Sequence, residues 1–142
     1  MRSIARQALP LVGAVFVGCV VIQVFLAGLG VFDDPRSFVT HREFGYLIGM
    51  FTLVLLVLSL LARSPRRITG YSALLLIQFA LQSLLVALRT DVPALAALHP
   101  VNGFLILFVA IAVTRASWAV RRTTVGQDVA ARRVAIAPGE AV

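Results

Sequence analysis

The stretch HREFGYLIGMFTLVLLVLSLLARSPRR, residues 41–67, decides the fold. It carries no charge between Glu43 and Arg63, a run close to the roughly 20 apolar residues that a helix needs to cross a bilayer. The run breaks at Ser64-Pro65 among Arg63, Arg66 and Arg67, and a second uncharged run then lasts until Arg89. Two spans joined by a tight arginine turn make a membrane hairpin. Working outward, a third span lies between Arg6 and Asp33 and a fourth between Asp91 and Arg115. Proline is favoured in the first turn of a helix, so Pro100 sets the start of the fourth helix. That helix runs on to about Val120, with Arg115 reaching back to the surface. The expected helices are 7–32, 41–62, 68–89 and 100–120, one membrane domain over 1–122 followed by a flexible cytoplasmic tail over 123–142.

Composition agrees. Of 142 residues 60% are hydrophobic and 13% charged, with a mean hydropathy of +0.96, against about 45–50% and about 25% in soluble domains. The net charge is +7 and every basic residue is arginine. The arginines flank apolar runs instead of forming a patch interleaved with aromatics, which argues against a nucleic-acid partner. Their distribution sets the expected topology through the excess of basic residues on cytoplasmic loops. Arg2, Arg6, Arg63, Arg66, Arg67, Arg115, Arg121, Arg122, Arg132 and Arg133 fall on one side, leaving Arg36, Arg42 and Arg89 on the other. Both termini are thus expected in the cytoplasm of a multi-pass protein of the plasma or inner membrane. The first apolar run is too long for a cleaved signal peptide. The single cysteine, Cys19, allows no internal disulfide.

The chain has two histidines, and each opens the same phrase: HREFGYLI from His41 and HPVNGFLI from His99. An Ile-Gln pair also recurs, at Ile22-Gln23 and Ile77-Gln78. The sequence therefore reads as two tandem helical hairpins, each an Ile-Gln helix, an outer loop and a His helix. Two-span units insert in the same orientation, which gives a parallel repeat about an axis along the membrane normal. Short connections favour an all-α, up-down-up-down four-helix bundle. Thr40 and Glu43 fit a capping box, so the second helix is expected to start there with His41 in its first turn.

In such a bundle the second and fourth helices stand on opposite corners, and their histidines can point at one spot from opposite sides. That is the arrangement of two axial ligands on a haem iron, with His41 and His99 as the metal ligands. Gly45 and Gly103 each follow their histidine by one turn, and Gly49 continues the face on the second helix. Glycines here leave a flat slot for a macrocycle, although small residues at this spacing equally serve close helix packing. Gln23 and Gln78 are intramembrane polar groups expected to face the bundle interior, and Arg42 and Arg89 stand at the outer mouth, where haem propionates would want cations. Two histidines are too few for a closed zinc site, and no nucleophile–base pair or phosphate loop is visible.

These residues resemble heme A synthase, each half of which is a four-helix bundle with an axial histidine at the outer end of its second and fourth helices. THREFG from Thr40 is similar to that family's entry to helix 2, and LIQFALQ from Leu76 to its third helix. The resemblance implies haem b ligation by His41 and His99. It does not imply synthase activity: there is one bundle, and only Asp33 and Asp34 lie near the place of the family's catalytic acid. FLAGLGVF from Phe25 and LHPVNG from Leu98 are also similar to a family of small, uncharacterised bacterial four-helix membrane proteins, which implies architecture without activity.

The expected function is a b-type cytochrome-like protein in electron transfer or redox sensing, without a catalytic constellation of its own. Quinone is a candidate second cofactor, and the expected partners are the bilayer, a membrane or extracytoplasmic redox subunit, and further copies of the chain. The alternative is a cofactor-free accessory subunit of a membrane complex. A small transporter is disfavoured by the lack of acidic residues within the spans.

Overall fold

Each long helix carries a buried stripe that advances in steps of three and four residues, the spacing that keeps a seam facing neighbouring helices crossing at a shallow angle. A computed structural model describes residues 1–136, with side chains described as far as Thr123. Its helices are α1 (Arg2–Phe32), α2 (Ser37–Leu61), α3 (Arg66–Ala87), the single turn α4 (Pro93–Ala96) and α5 (His99–Ile136). On α1 the seam is Leu9, Gly13, Phe16 and Val20; on α2 it is Ile48, Thr52, Leu55 and Ser59. Ile68, Ser72 and Leu75 continue it on α3, and Ile106, Ala110 and Val113 on α5. The aliphatic members and Phe16 form one core cluster.

The small hydroxyls on this seam are fully enclosed yet satisfied within their own helices. Thr52 donates to Gly49 O at 2.7 Å, Ser59 to Leu56 O at 2.8 Å and Ser72 to Ile68 O at 3.0 Å. Such bonding removes the penalty of a buried polar group and keeps the side chains small enough for close helix approach. Large apolar side chains point outward instead: Phe25, Met50, Ile77 and Phe108 are all exposed. In a soluble protein that would be a liability, whereas here it is the surface that lipid covers. Four segments are long and apolar enough to cross a membrane, Arg2–Phe32, Ser37–Leu61, Arg66–Ala87 and Pro93–Thr123. The chain is an all-α, multi-pass membrane protein.

Around the bundle α1 packs on α2 and α5, and α3 packs on α2 and α5. Thus α2 and α5 occupy opposite corners, as do α1 and α3. At the arginine-rich end, Arg6 Nε donates to Ala62 O at 3.1 Å, satisfying a carbonyl at the end of α2. The turn into α3 is closed by Ser64 N–H donating to Ser59 O and Arg63 N–H to Leu60 O, both at 3.0 Å. This αL helix stop usually takes glycine, but Arg63 holds the position at φ 51°.

Three element boundaries differ from the sequence reading, the first being that α1 begins at Arg2 and not near residue 7. α2 begins at Ser37, not near Thr40. Asp34 Oδ1 accepts from Arg36 N–H at 2.9 Å, and successive bonds from Ser37 to Asp34 O and from Phe38 to Pro35 O start the helix a turn early. Thr40 is therefore inside the helix and is no cap, and Glu43 pairs with Arg42 at 2.9 Å. At the other end α5 stays helical to Ile136, through much of the stretch read as a tail; residues 137–142 lie outside the described residues.

A close helix contact joins α1 and α5, where a Cβ on Gly13 would stand 2.6 Å from Thr114 Oγ1. Thr114 is itself held by its bond to Ala110 O at 2.8 Å. Gly13→Ala is expected to destabilise the bundle by about 1–3 kcal/mol, the usual range for overpacking. Thr114→Ala in the same chain should restore most of that loss, measured by thermal unfolding in detergent.

Candidate functional site

At the end of the bundle opposite the arginine turn the seam changes chemistry. Three residues beyond Val20 it reaches Gln23 on α1, and seven before Ile48 it reaches His41 on α2. On α3 it continues from Leu75 through Phe79 to Gln82, and on α5 it runs back from Ile106 through Asn102 to His99. The aliphatic core thus ends in a layer of two histidines, two glutamines and an asparagine.

The layer is built from one unit used twice. On the first hairpin Gln23 Nε2 donates to His41 O at 2.7 Å, and His41 Nδ1 lies 3.1 Å from Gln23 O. On the second, Gln82 Nε2 donates to His99 O at 3.0 Å, and His99 Nδ1 lies 3.4 Å from Gln82 O. A backbone carbonyl can only accept, so each Nδ1 is the donor. The neutral rings therefore carry their proton on Nδ1 and a lone pair on Nε2. The second contact of Gln82 agrees with this assignment, because its amide also approaches His99 Nε2, at 3.4 Å.

The two rings meet across the bundle, with centroids 6.2 Å apart and planes inclined at 69°. Both are half-buried. A metal–imidazole bond is about 2 Å long, so two imidazoles on opposite sides of one metal would have centroids about 6 Å apart. Phe38 stands edge-on to His41 at 6.3 Å, and its ring also covers Gly30, where a Cβ would come within 2.8 Å of it. The α1–α2 turn and the orientation of His41 are thereby tied together. Among the described residues no group of three or more His, Cys, Asp or Glu side chains gathers anywhere, so the two histidines stand as a pair.

The other sequence-derived candidates fall as follows. Gly45 and Gly103 face the glutamines: a Cβ would lie 2.7 Å from Gln23 Nε2 at Gly45 and 3.5 Å from Gln82 Nε2 at Gly103. Gly49 faces the Phe79 ring at 3.3 Å. The glycine face is thus lined by side chains of the neighbouring helices, not by open space. Gln78 is buried, but the histidine partner on α3 is Gln82. Gln78 contributes its backbone carbonyl, which accepts from Asn102 Nδ2 at 2.9 Å. Arg42 is engaged by Glu43, and Arg89 Nη1 donates to Val86 O at 3.4 Å, both in exposed positions.

Asn102 is the residue the sequence reading missed. It is buried, and its amide joins Gln78 O to Gln82 Oε1, the latter at 2.6 Å. The signal was present in HPVNG: Asn102 is three residues after His99 and four before Ile106, on the seam itself. Two acceptors in the layer have no donor, Gln23 Oε1 and Gln78 Oε1. Buried polar atoms are usually paired, so these two mark where an O–H or N–H donor would be accommodated.

Because Gln82 links His99 to Asn102, the three side chains should be energetically coupled. Gln82→Leu and Asn102→Leu are each expected to cost about 1–2 kcal/mol, the usual range for an interrupted buried hydrogen bond. The double variant should cost clearly less than the sum, because either change alone breaks the shared bond. A double-mutant cycle by unfolding in detergent measures this.

Neither a curated protein nor a solved structure matches the chain. Residues 23–90, from Gln23 through His41 and Gln82 to Thr90, match the model of a family of unknown function (DUF6220).

Proposed function

We propose that the protein is a membrane-embedded, b-type haem protein with His41 and His99 as axial ligands, serving electron transfer or redox sensing. The observation that carries this reading is the pair of imidazoles meeting edge-on across the bundle with centroids 6.2 Å apart, each with Nδ1 tied to a backbone carbonyl and a lone pair on Nε2, which at His99 the Gln82 amide approaches at 3.4 Å. Haem-ligating and other metal-ligating histidines are usually oriented in this way by an outer hydrogen bond. The resemblance of THREFG and LIQFALQ to half of heme A synthase supports the same donor set.

The residues fit the group in donor type and spacing. His41 and His99 would hold the iron, and for Gly45, Gly49 and Gly103 to line a macrocycle the side chains of Gln23, Phe79 and Gln82 that now lie over them would have to move aside. Gln23 and Gln82 fix the ring tautomers through their backbone carbonyls, and Arg42 and Arg89, like Arg36, are cations at that end of the bundle. When bound, haem supplies one-electron redox chemistry. Two histidine ligands from the protein would leave the iron no open site for oxygen, so this chain's part would be to hold the ligands and exclude water. A quinone partner is chemically apt as well, since the hydroxyls of its reduced form could donate to the unpaired oxygens of Gln23 and Gln78. The arginine distribution supports a plasma-membrane topology with both termini in the cytoplasm and the histidine layer in the outer half.

The second reading is a cofactor-free accessory subunit. It draws on the way Gln23 lies against Gly45 and Gln82 against Gly103, contacts that by themselves serve helix packing.

The chain purified after expression with ample haem is expected to show a low-spin b-type reduced-minus-oxidised spectrum. His41→Ala and His99→Ala should each lose it while remaining folded. A folded protein that stays colourless after haem addition would favour the accessory-subunit reading. For topology, Cys19→Ala chains carrying Thr90→Cys or Ser64→Cys should differ on intact cells: a membrane-impermeant maleimide is expected to label the first and spare the second.

A further inference from the structure

The opposite end of the bundle carries a second feature, which the histidine layer does not explain. An open groove of about 830 Å³ runs along one face of α5 towards the start of α3. Ala112, Ala116 and Ala119 keep it hollow, since each places only a methyl group where a longer side chain would fill it. Its inner stretch is walled by Phe108 and Ile111, and its outer stretch by Arg115, Trp118 and Arg122, with Arg67 reaching in from α3. From Phe108 to Arg122 the helix rises about 20 Å, comparable to one leaflet of a bilayer whose apolar core is about 30 Å thick. The groove therefore changes from apolar to cationic along the membrane normal, as a phospholipid changes from acyl chain to phosphate.

Among the described residues the charge at this end has no acidic partner. The carboxylates with described side chains, Asp33, Asp34, Glu43 and Asp91, all belong to the histidine end. Arg67 Nε donates to the Tyr71 hydroxyl at 3.3 Å, and Arg121 stacks on Trp118 at 4.8 Å. Neither contact neutralises a cation. Arg115 and Arg122 make no hydrogen bond or ion pair among the described residues. Guanidinium groups are well suited to phosphate, and basic pockets between membrane helices bind anionic headgroups.

We infer that this groove binds an anionic phospholipid, with its phosphate among Arg67, Arg115 and Arg122 and an acyl chain along Phe108 and Ile111. A free anion would leave the apolar half of the groove unused, and a zwitterionic lipid would leave the arginines uncompensated.

Trp118 is the sole tryptophan and lines the groove, so it reports occupancy directly. The full chain is placed in phosphatidylcholine vesicles containing a small fraction of either tail-brominated phosphatidylglycerol or tail-brominated phosphatidylcholine. The anionic lipid is expected to quench Trp118 severalfold more strongly per mole. Arg115→Gln and Arg122→Gln should each lower the relative affinity by about fivefold, while Arg63→Gln, at the same end but outside the groove, should leave it nearly unchanged. Arg115→Lys and Arg122→Lys keep the charge and should keep most of the preference. Equal quenching by the two lipids would overturn the assignment, as would an equal loss in Arg63→Gln, which would mean diffuse surface charge. Abolition of the preference by excess inorganic phosphate would also overturn it, because the anion alone would then suffice.

Discussion

A reciprocal hydrogen-bonded pair holds the histidine end of this bundle together, and it occurs twice. In each hairpin a glutamine amide reaches across to the histidine carbonyl, and the imidazole Nδ1 reaches back to the glutamine carbonyl. Helix association in lipid gains little from the hydrophobic effect, since the tails are as apolar as leucine. Close packing and interhelical hydrogen bonds take its place, the latter worth about 0.6–2 kcal/mol each. The paired bonds fix how far each helix slides along its neighbour. They also fix the tautomer and direction of each ring. Because α2 and α5 stand on opposite corners, two rings fixed in this way converge on the bundle axis.

The rest of the bundle supplies the rigidity that the convergence requires. Leu55, Phe16, Leu75 and Val113 are fully enclosed, and the hydroxyls of Thr52, Ser59 and Ser72 are absorbed by their own helices. Apart from Ser117, whose buried Oγ has no hydrogen-bond partner, the interior of the core seam is thus apolar or self-satisfied until it reaches the layer of Gln23, His41, Gln82, His99 and Asn102. Polarity is concentrated there, within the membrane span, which is where intramembrane function is usually found. The arginine-rich end is built differently. Its cations lie on the surface, and its groove opens outward along α5. One end of the bundle is organised around a buried polar centre, and the other around the lipid interface.

Much of this was legible in the sequence because the bilayer imposes strict rules on length and charge. The uncharged runs bounded by Glu43, Arg63 and Arg89 located the central hairpin, and the repeated His phrase placed both imidazoles in one layer. The pairing of glutamines was not legible. The repeated Ile-Gln dipeptide pointed to Gln78, whereas Gln82, one turn on, meets His99. The connections at the histidine end of the two hairpins differ in length and form, α4 lying in the second only, so matching offsets in sequence do not give matching depth. Likewise the start of α2 depended on an Asp34 turn, which competed with the capping pattern at Thr40. The glycines beside the histidines read as a slot, but backbone spacing alone does not say which neighbouring side chain lies over it. The glutamine amides do.

Both imidazoles are held by Nδ1 donation to the backbone carbonyls of Gln23 and Gln82. The chain has only two histidines, so ¹⁵N-histidine NMR of the purified, cofactor-free protein at neutral to mildly alkaline pH gives two assignable ring signals. Both rings are expected as the Nδ1–H tautomer, and Gln23→Ala and Gln82→Ala, which keep the backbone acceptors, should retain it. Two rings in the Nε2–H form, or in rapid exchange between tautomers as in water, would contradict this donation.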